Sequence, residues 1–509
     1  MQHLELLSRS AVEEEILKSS RRRSRIGDLG TNIQPLIEIV GRENILLDDV
    51  DLLCYSRDLT PYSFKPRAVV FPQTTEQVSK ILIWANREKV PVTPRGSGAS
   101  FTGSSLPREN SVVLDMSKMD KIKDIQPENL IAIVEPGITV DKLNRELKKF
   151  SLTFPHDVGS HDVSTIGGMV ASNSHGHHGL KYGPIKNWIL GLEVVLPTGK
   201  VIRVGSRVLR SNCGYNLTQL FIGSEGTLGI ITEVTLNVIP LPSYKASVAS
   251  FFNSVREALR ASMETARCGV NPSAVEFVDR TALETVNRVE NLGFPEAEAM
   301  VIVDLDGHSK GVLDEQVKTV ADICLKNGGK EVQVAYDEEG IRRLWKPRLD
   351  IDIAMTRERP GYREVGMAIA DPCVPLSRMA EVIEEMQRIF KRHKITSIIL
   401  AHAGVGIIHP AIFIDVNDEH QWRALKKAER EIVNLVLGVG GSITGEHGVG
   451  IVKAPFAELE LGESLEIMRR IKRLLDPNGI LNPGKMALDT AIRDVPGHIA
   501  FPKYQMDVV

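Results

Sequence analysis

The sequence is poor in cysteine, in aromatic residues and in net charge. Its five cysteines stand far apart along 509 residues, and no CxxC pair occurs. A zinc ribbon or an iron–sulfur cluster therefore cannot be built from this chain alone, and scattered, unpaired cysteines are typical of a reducing cytoplasm. The formal net charge of −3 leaves no global basic field to hold nucleic acid.

Long hydrophobic runs are also missing. No stretch approaches the roughly 18 apolar residues of a membrane span, and the N-terminus is charged throughout, unlike a secretory signal peptide. We therefore expect a cytoplasmic protein without a transmembrane segment, which would reach a membrane only through a partner. The basic run at 21–25 is more simply interpreted as a solvated turn than as a contact surface.

Hydrophobic periodicity predicts an α+β chain in four parts. Residues 1–61 are expected to form a helical lead-in and 62–241 a first domain. Residues 242–487 are expected to form a second domain of long helices and strands, followed by a tail at 488–509. The Pro-Leu-Pro at 240–242 marks the boundary between the two domains.

Three segments of the first domain are rich in glycine and hydroxyl residues. They lie at 94–104 (Pro-Arg-Gly-Ser-Gly-Ala-Ser-Phe-Thr-Gly-Ser), 158–176 and 221–233. Backbone N–H groups of such loops can close on a phosphate, and small residues let a flat ring approach the main chain. The first segment lacks the third glycine of the GxGxxG fingerprint, so alone it fits a surface turn equally well.

Five motifs in this order resemble the FAD-binding half of the vanillyl-alcohol-oxidase-type (PCMH-type) flavoproteins. They lie at 94–104, 165–168, 180–183, 213–217 and 223–229. Within that group the chain is most similar to the D-lactate, glycolate and D-2-hydroxyglutarate dehydrogenases. The resemblance implies a two-part FAD-binding domain and an α+β substrate domain with an antiparallel sheet and flanking helices. The end of the substrate domain would return to the FAD-binding domain.

The resemblance also implies where FAD lies. The loop at 95–104 would hold the pyrophosphate, 165–173 would line the flavin, and 225–231 would surround the adenosine. Some members attach FAD through a histidine in the first loop, which has none here, so we expect non-covalent FAD; several histidines at 156–178 leave the alternative open. The positions expected to contact the cofactor are Arg95, Gly96, Ser97, Gly98, Ala99, Ser104, Thr165, Gly168, Asn173, Glu225, Gly226, Ile231 and Asn482.

Two histidine-containing segments of the second domain can carry chemistry. One reads Ala-His-Ala-Gly-Val-Gly-Ile-Ile-His-Pro at 401–410, and the other contains Gly-Glu-His-Gly at 445–448. Imidazoles on either side of a glycine turn can converge, and a carboxylate can add an oxygen ligand. Such a set suits Zn²⁺, or less clearly Mn²⁺ or Fe²⁺. From spacing alone, histidines that are merely hydrogen-bonded remain the commoner alternative.

The resemblance assigns roles to these residues. In metal-containing members, the positions matching His402, His409 and Glu446 bind the ion, and the position matching His447 is the catalytic base. Arg348 matches the arginine of a W-x-x-R element, where a planar guanidinium would bind the substrate carboxylate. An ordinary surface arginine is the alternative for this position, and Arg363 is a weaker second candidate.

The chain departs from the family at one place. The family usually shows H-x-G-D-G-N-x-H, but the acidic and amide positions are Val405 and Ile407 here. The loss of two polar groups beside the histidines puts the strength of metal binding and the identity of the substrate in doubt.

These residues together predict an FAD-dependent dehydrogenase that oxidises a small 2-hydroxy acid to the 2-oxo acid, with hydride passing to flavin N5 and the proton to His447. Because the chain lacks cluster ligands, the electrons would go to a carrier such as an electron-transfer flavoprotein or an iron–sulfur subunit. A homo-oligomer is compatible with the sequence. The alternatives are an FAD-containing subunit with a degenerate substrate site and a non-redox flavoenzyme similar to alkyl-dihydroxyacetone-phosphate synthase.

Overall fold

The computed structural model describes residues 33–365 and 369–489. The helical pattern in 1–32, the basic run at 21–25 and the tail from residue 490 lie outside these ranges. Within the described ranges the expected α+β class is confirmed. The first helices are α1 (Gln34–Val40) and α2 (Asp49–Cys54).

A small, mostly parallel sheet opens the fold. Its strands are β1 (Ile45–Leu46), β2 (Ala68–Val70), β3 (Val92–Arg95) and β4 (Val112–Asp115). Strand β4 lies between β2 and β3 and pairs with both in parallel. The crossover is α3 (Thr75–Glu88), whose buried face of Val78, Ile81, Leu82 and Ala85 covers the sheet, as the periodicity predicts.

A second, antiparallel sheet completes the first half in the order β5-β6-β10-β8-β9, beside a two-stranded ribbon of β7 and β11. The strands β5 to β11 are Ile122–Gln126, Ile131–Val134, Leu152–Thr153, Ile189–Val195, Val201–Gly205, Ile230–Asn237 and Ile239–Pro240. The helices α4 to α7 of this half are Val140–Leu147, Ile166–Ser172, Gly179–Tyr182 and Leu217–Phe221.

The second half is built on a seven-stranded antiparallel sheet in the order β15-β12-β14-β13-β17-β18-β16. The strands β12 to β18 are Tyr244–Phe252, Ala274–Asp279, Ala299–Gly307, Val332–Ala335, Tyr362–Glu364, Thr396–His402 and Ile407–Asp415. The helices α8 to α14 are Val255–Arg267, Arg280–Glu290, Lys310–Lys326, Glu338–Leu349, Ile351–Glu358, Met379–Arg392 and Glu419–Gly438.

Helices cover both faces of this sheet. Side chains of α8, α10, α13 and α14 share one core cluster with Val275 and Phe277, and side chains of α9, α11 and α12 share another with Ala274 and Val278. Because successive residues of a strand point to opposite faces, Glu276 and His402 lie on the face that α11 and α12 cover.

The last described residues lie beside the first sheet. After α15 (Ala454–Leu461) and α16 (Glu463–Leu475), Asn482 donates its backbone N–H to Val92 of β3 (2.8 Å), and Val92 donates to Ile480 (2.7 Å). Among the residues that the structure describes, no helix combines the length and apolar character needed to cross a bilayer.

Candidate active site

One cavity of about 540 Å³ is lined by residues from both halves of the molecule. The glycine-rich loops form one part of its wall, and residues of α11, β17, β18 and the 445–448 loop form another. Of the residues that the sequence singled out for FAD, metal or catalysis, only Asn173, Asn482 and the weaker candidate Arg363 lie outside the described lining. The fold therefore gathers nearly all of them around one space.

The loop wall leaves no room for extra side-chain atoms. A Cβ on Gly96 would collide with Thr165 Oγ1, and one on Gly226 would collide with Pro94. Gly98 has a φ of +78° beside the guanidinium of Arg95, a conformation that disfavours other residues. Main chain thus forms the surface of this wall, which fits a phosphate and a flat ring system.

Glu225 and Asn482 brace the loop wall from behind. The carboxylate of Glu225 accepts hydrogen bonds from the N–H groups of Val449 (2.6 Å) and Gly450 (2.8 Å). The Asn482 amide donates to the carbonyls of Ser104 (2.9 Å) and Glu225 (2.7 Å). Their polar atoms join three loops, while Asn482 Oδ1 is buried without a hydrogen-bond partner among the described residues. Their contact with FAD stays a prediction.

The β17–β18 hairpin brings the two predicted metal-ligand histidines together. His402 and His409 project from the same face, with ring centroids 4.8 Å apart. Glu446 Oε1 lies 3.7 Å from His402 Nε2 and 3.2 Å from His409 Nε2. One potential ligand atom from each residue lies within 4.8 Å of the others, the compactness that a shared cation requires.

The surroundings of these residues also fit a cation. His402 Nδ1 is held by Glu276 (2.7 Å) and His409 Nδ1 by the carbonyl of Ala370 (3.2 Å), so both Nε2 atoms point inward. His409 Nε2 and Glu446 Oε2 are buried without a hydrogen-bond partner among the described residues. His409 Nε2 lies 3.2 Å from Glu446 Oε1, but the angles between these two groups are not those of a hydrogen bond. Buried polar atoms without partners are rare, and a bound ion would satisfy both.

Asp371 organises the loop that carries Glu446 and His447. It is fully buried, and its carboxylate accepts hydrogen bonds from the backbone N–H groups of residues 445–447 (2.8–3.0 Å). It also forms an ion pair with buried Lys453. Its Oδ1 lies 3.1 Å from His447 Nδ1. Sequence reasoning missed Asp371, since an aspartate before proline is an ordinary turn signal.

The first FAD loop and the catalytic loop are in direct contact. The rings of Phe101 and His447 are stacked with centroids 5.0 Å apart, and Thr102 Oγ1 donates to the His447 carbonyl (3.3 Å). His447 Nε2 lies 3.4 Å from Glu446 Oε1. The predicted base thus lies between the loop wall and the histidine–glutamate cluster.

Arg348 reaches the cavity from the end of α11. Its Nε donates to Glu276 Oε2 (2.9 Å), and its side chain is 12% exposed, so the surface-arginine alternative is wrong. Arg363, the weaker candidate, is exposed and outside the described lining. Glu276 was also missed, although a carboxylate inside the apolar run Ala-Val-Glu-Phe-Val is a signal that could have found it.

Two further carboxyl groups line the cavity beside Arg348. Asp352 is exposed to the cavity and Glu364 is half-buried. The two groups are hydrogen-bonded to each other, and burial followed by the Asp352 charge raises the pKa of Glu364 to about 8. At neutral pH the pair therefore retains a proton on Glu364 and carries at most one negative charge, on Asp352, close to the predicted carboxylate-binding residue.

The apolar substitutions of the histidine motif have a visible consequence. Ile407 is buried, and its side chain occupies the space that a Cβ on Gly445 would need (2.7–3.0 Å). An apolar side chain therefore supports the catalytic loop where the family usually has a polar one.

Two family models match the chain: "FAD binding domain" over residues 66–205 and "FAD linked oxidases, C-terminal domain" over 241–486. The glycolate oxidase subunit GlcD of Bacillus subtilis is 35% identical over 89% of this chain and 96% of its own length. The chain belongs to the FAD-linked oxidases. It is an oxidoreductase that uses FAD, as the five ordered motifs predicted.

Other comparisons agree with this family. The mitochondrial D-lactate dehydrogenase [cytochrome] of Arabidopsis thaliana is 36% identical over 86% of this chain and 74% of its own. A 4-ethylphenol oxidase from Gulosibacter chungangensis has the same fold, with a TM-score of 0.75 at 21% identity over 90% of this chain and 96% of that one. The expected two-part, PCMH-type architecture is thereby confirmed.

Proposed function

We propose that this flavoenzyme is a dehydrogenase that oxidises a small 2-hydroxy acid of the D-lactate or glycolate class to the 2-oxo acid. The observation that carries the proposal is the single cavity that joins the FAD-binding loops to Arg348, His447 and the histidine–glutamate cluster. The names of the relatives, glycolate oxidase subunit and D-lactate dehydrogenase, support the same substrate class.

The reaction removes a hydride from Cα and a proton from the hydroxyl group, which converts the C–O single bond into a carbonyl. Arg348 binds the substrate carboxylate through the guanidinium nitrogens that Glu276 does not engage. His447 Nε2 accepts the hydroxyl proton, while the Asp371 carboxylate, 3.1 Å from Nδ1 on the other side, stabilises the positive charge that the imidazole then carries. The chemistry that bound FAD supplies is acceptance of the hydride at N5.

A divalent cation fits His402, His409 and Glu446, and it would supply Lewis acidity toward the substrate hydroxyl. Without a cation, burial disfavours the charged form of His447, but Asp371 and Glu446 outweigh burial and raise its pKa to about 9. A cation bound to Glu446 would oppose the smaller part of that rise, which comes from Glu446. We therefore infer that the ion lowers the pKa of His447 and so favours the neutral form that a base needs.

We also infer that the electrons leave to a carrier protein, because one relative is named a subunit and another carries the word cytochrome in its name. The absence of histidine from residues 94–104 supports non-covalent FAD. Acid precipitation tests this second point: yellow flavin in the supernatant is expected, and flavin retained on the denatured protein would contradict it.

Steady-state dye reduction tests the proposed reaction. We expect turnover with D-lactate or glycolate and little with L-lactate, together with one metal ion per chain that is lost in His402→Ala. The control is His308→Ala, which changes an exposed histidine outside the described cavity lining. No turnover with any 2-hydroxy acid would contradict the proposal and favour a subunit with an inactive substrate site.

A further inference from the structure

Glu276 connects two parts of the candidate site that are separate in the sequence. It lies in the middle of β13, directly opposite His402 in the antiparallel pairing with β17. Its side chain is completely buried. One carboxylate oxygen, Oε1, lies 2.7 Å from His402 Nδ1, and the other, Oε2, accepts a hydrogen bond from Arg348 Nε at 2.9 Å.

Burial of this carboxylate is costly unless both of its oxygens are used. Both oxygens of Glu276 are used here: one by an imidazole that faces the cation site, and the other by a guanidinium that lines the cavity.

Each link fixes a different geometry. The hydrogen bond from His402 Nδ1–H to Glu276 selects the tautomer whose Nε2 lone pair points toward Glu446. Such a hydrogen bond makes a metal-ligating imidazole more basic and fixes its orientation. The hydrogen bond from Arg348 Nε–H to Glu276 fixes the plane of the guanidinium. It leaves the two terminal nitrogens of Arg348 free to bind a carboxylate.

We propose that Glu276 is a positioning residue that serves both the cation site and the substrate carboxylate site of this oxidoreductase. The inference rests on the proposed function, since it takes His402 as a metal ligand and Arg348 as the substrate anchor. As a consequence, one substitution at Glu276, which contacts neither substrate nor cofactor, is expected to weaken both the binding of the cation and the binding of the substrate carboxylate.

Glu276→Gln is the direct test, because a glutamine has nearly the same shape but only one acceptor oxygen. His402 and Arg348 both donate, so one of them must face the NH₂ group of the amide, and the other keeps only a neutral acceptor in place of a carboxylate. Both links are therefore weakened. In the FAD-loaded protein, we expect Zn²⁺ affinity, measured by competition with a chelator, to fall about 10- to 100-fold, the usual effect of losing such support.

The second readout uses oxalate, which presents a carboxylate and an adjacent oxygen but has no Cα–H to lose. Its binding, followed by flavin absorbance at saturating Zn²⁺, is expected to weaken about tenfold, as expected for one lost hydrogen bond to a charged group. Neither readout depends on turnover.

The matched control is Glu193→Gln. Glu193 is also buried in a sheet and paired with an arginine, Arg203 (2.8 Å), but it lies outside the described cavity lining. This variant is expected to bind Zn²⁺ and oxalate as the wild type does. Glu276→Asp, which keeps the charge but cannot reach both partners, should lie between wild type and Glu276→Gln, and it carries the test if the glutamine variant does not fold.

Wild-type affinities for both ligands in the Glu276 variants would overturn the inference, and so would the loss of only one of them, because one link would then be dispensable. Failure of the proposed function has another signature. In that case the wild type itself would bind no Zn²⁺ and show no flavin response to oxalate or to any 2-hydroxy acid.

Discussion

The two parts of the cavity wall are built in different ways. The loop wall, at residues 94–104, 164–172 and 224–231, presents main chain and small side chains from segments that are each continuous in the sequence. The side-chain wall gathers Arg348, His402, His409, Glu446 and His447 from three separate regions. Two buried carboxylates outside those motifs, Glu276 and Asp371, hold these side chains in place.

This difference indicates what each wall tolerates. The loop wall depends on the absence of Cβ atoms, so it is sensitive to an added methyl group. The side-chain wall depends on buried charges that have specific partners, so it is sensitive to neutral replacements of the same shape. Variants that affect one wall and spare the other therefore test the distinction.

The largest effect is expected in the side-chain wall for His447→Ala. Loss of a general base lowers kcat by about 10²- to 10⁴-fold, while the FAD content stays at the wild-type level because the loop wall is intact. Dye-coupled assays and flavin absorbance measure the two quantities on one preparation, with His308→Ala as the control. A kcat within threefold of wild type would exclude His447 as the base.

The next largest effect is expected for Asp371→Asn, which leaves Lys453 buried without its anion. Breaking a buried ion pair costs about 3–5 kcal/mol, and chemical denaturation measures the change in the free energy of unfolding. Asp337→Asn is the control, because Asp337 caps α11 at the surface through Gly340 N (2.8 Å) and asparagine caps equally well. Equal stability losses in both variants would contradict a central role for Asp371.

A smaller effect is expected in the loop wall for Gly98→Ala. At a φ of +78°, alanine is strained by roughly 1–2 kcal/mol, and its methyl group displaces the Arg95 guanidinium from the loop. We expect FAD to bind about tenfold more weakly, which corresponds to about 1.4 kcal/mol. Zn²⁺ binding should not change.

Gly269→Ala controls for backbone strain, since Gly269 has a φ of +82° and open space around it. This variant should lose stability but keep its FAD affinity. Weaker FAD binding to the same extent in both variants would show that strain alone, rather than the loop wall, explains the result.

The smallest effect is expected from the acidic pair beside Arg348. Its negative charge disfavours a second carboxylate on the substrate, so Asp352→Asn should raise the kcat/KM of D-2-hydroxyglutarate relative to D-lactate. The change is about three- to fivefold, because exposed charges rarely contribute more than about 1 kcal/mol. Asp350→Asn, outside the described lining, should leave the ratio unchanged. If the ratio of the two kcat/KM values is unchanged in Asp352→Asn, the acidic pair does not contribute to substrate selection.

The sequence predicted the loop wall better than the side-chain wall for a physical reason. Glycine and hydroxyl patterns report backbone demands that are local. Asp371 and Glu276 act through contacts 72 to 126 residues away in the sequence. No local pattern distinguishes Asp371 from a turn aspartate before the fold is known, and the apolar run around Glu276 indicates a buried carboxylate but not its partners.

Anaerobic mixing of the FAD-loaded protein with D-lactate, glycolate and their homologues tests the central claim most directly, because it observes the cofactor and the side-chain wall in one step without a carrier protein. The account predicts bleaching of the oxidised flavin absorbance by at least one 2-hydroxy acid in the wild type. In His447→Ala, dithionite should bleach the flavin but the acid should not. An oxidised spectrum with every acid in the wild type, in a protein that dithionite reduces, would contradict it.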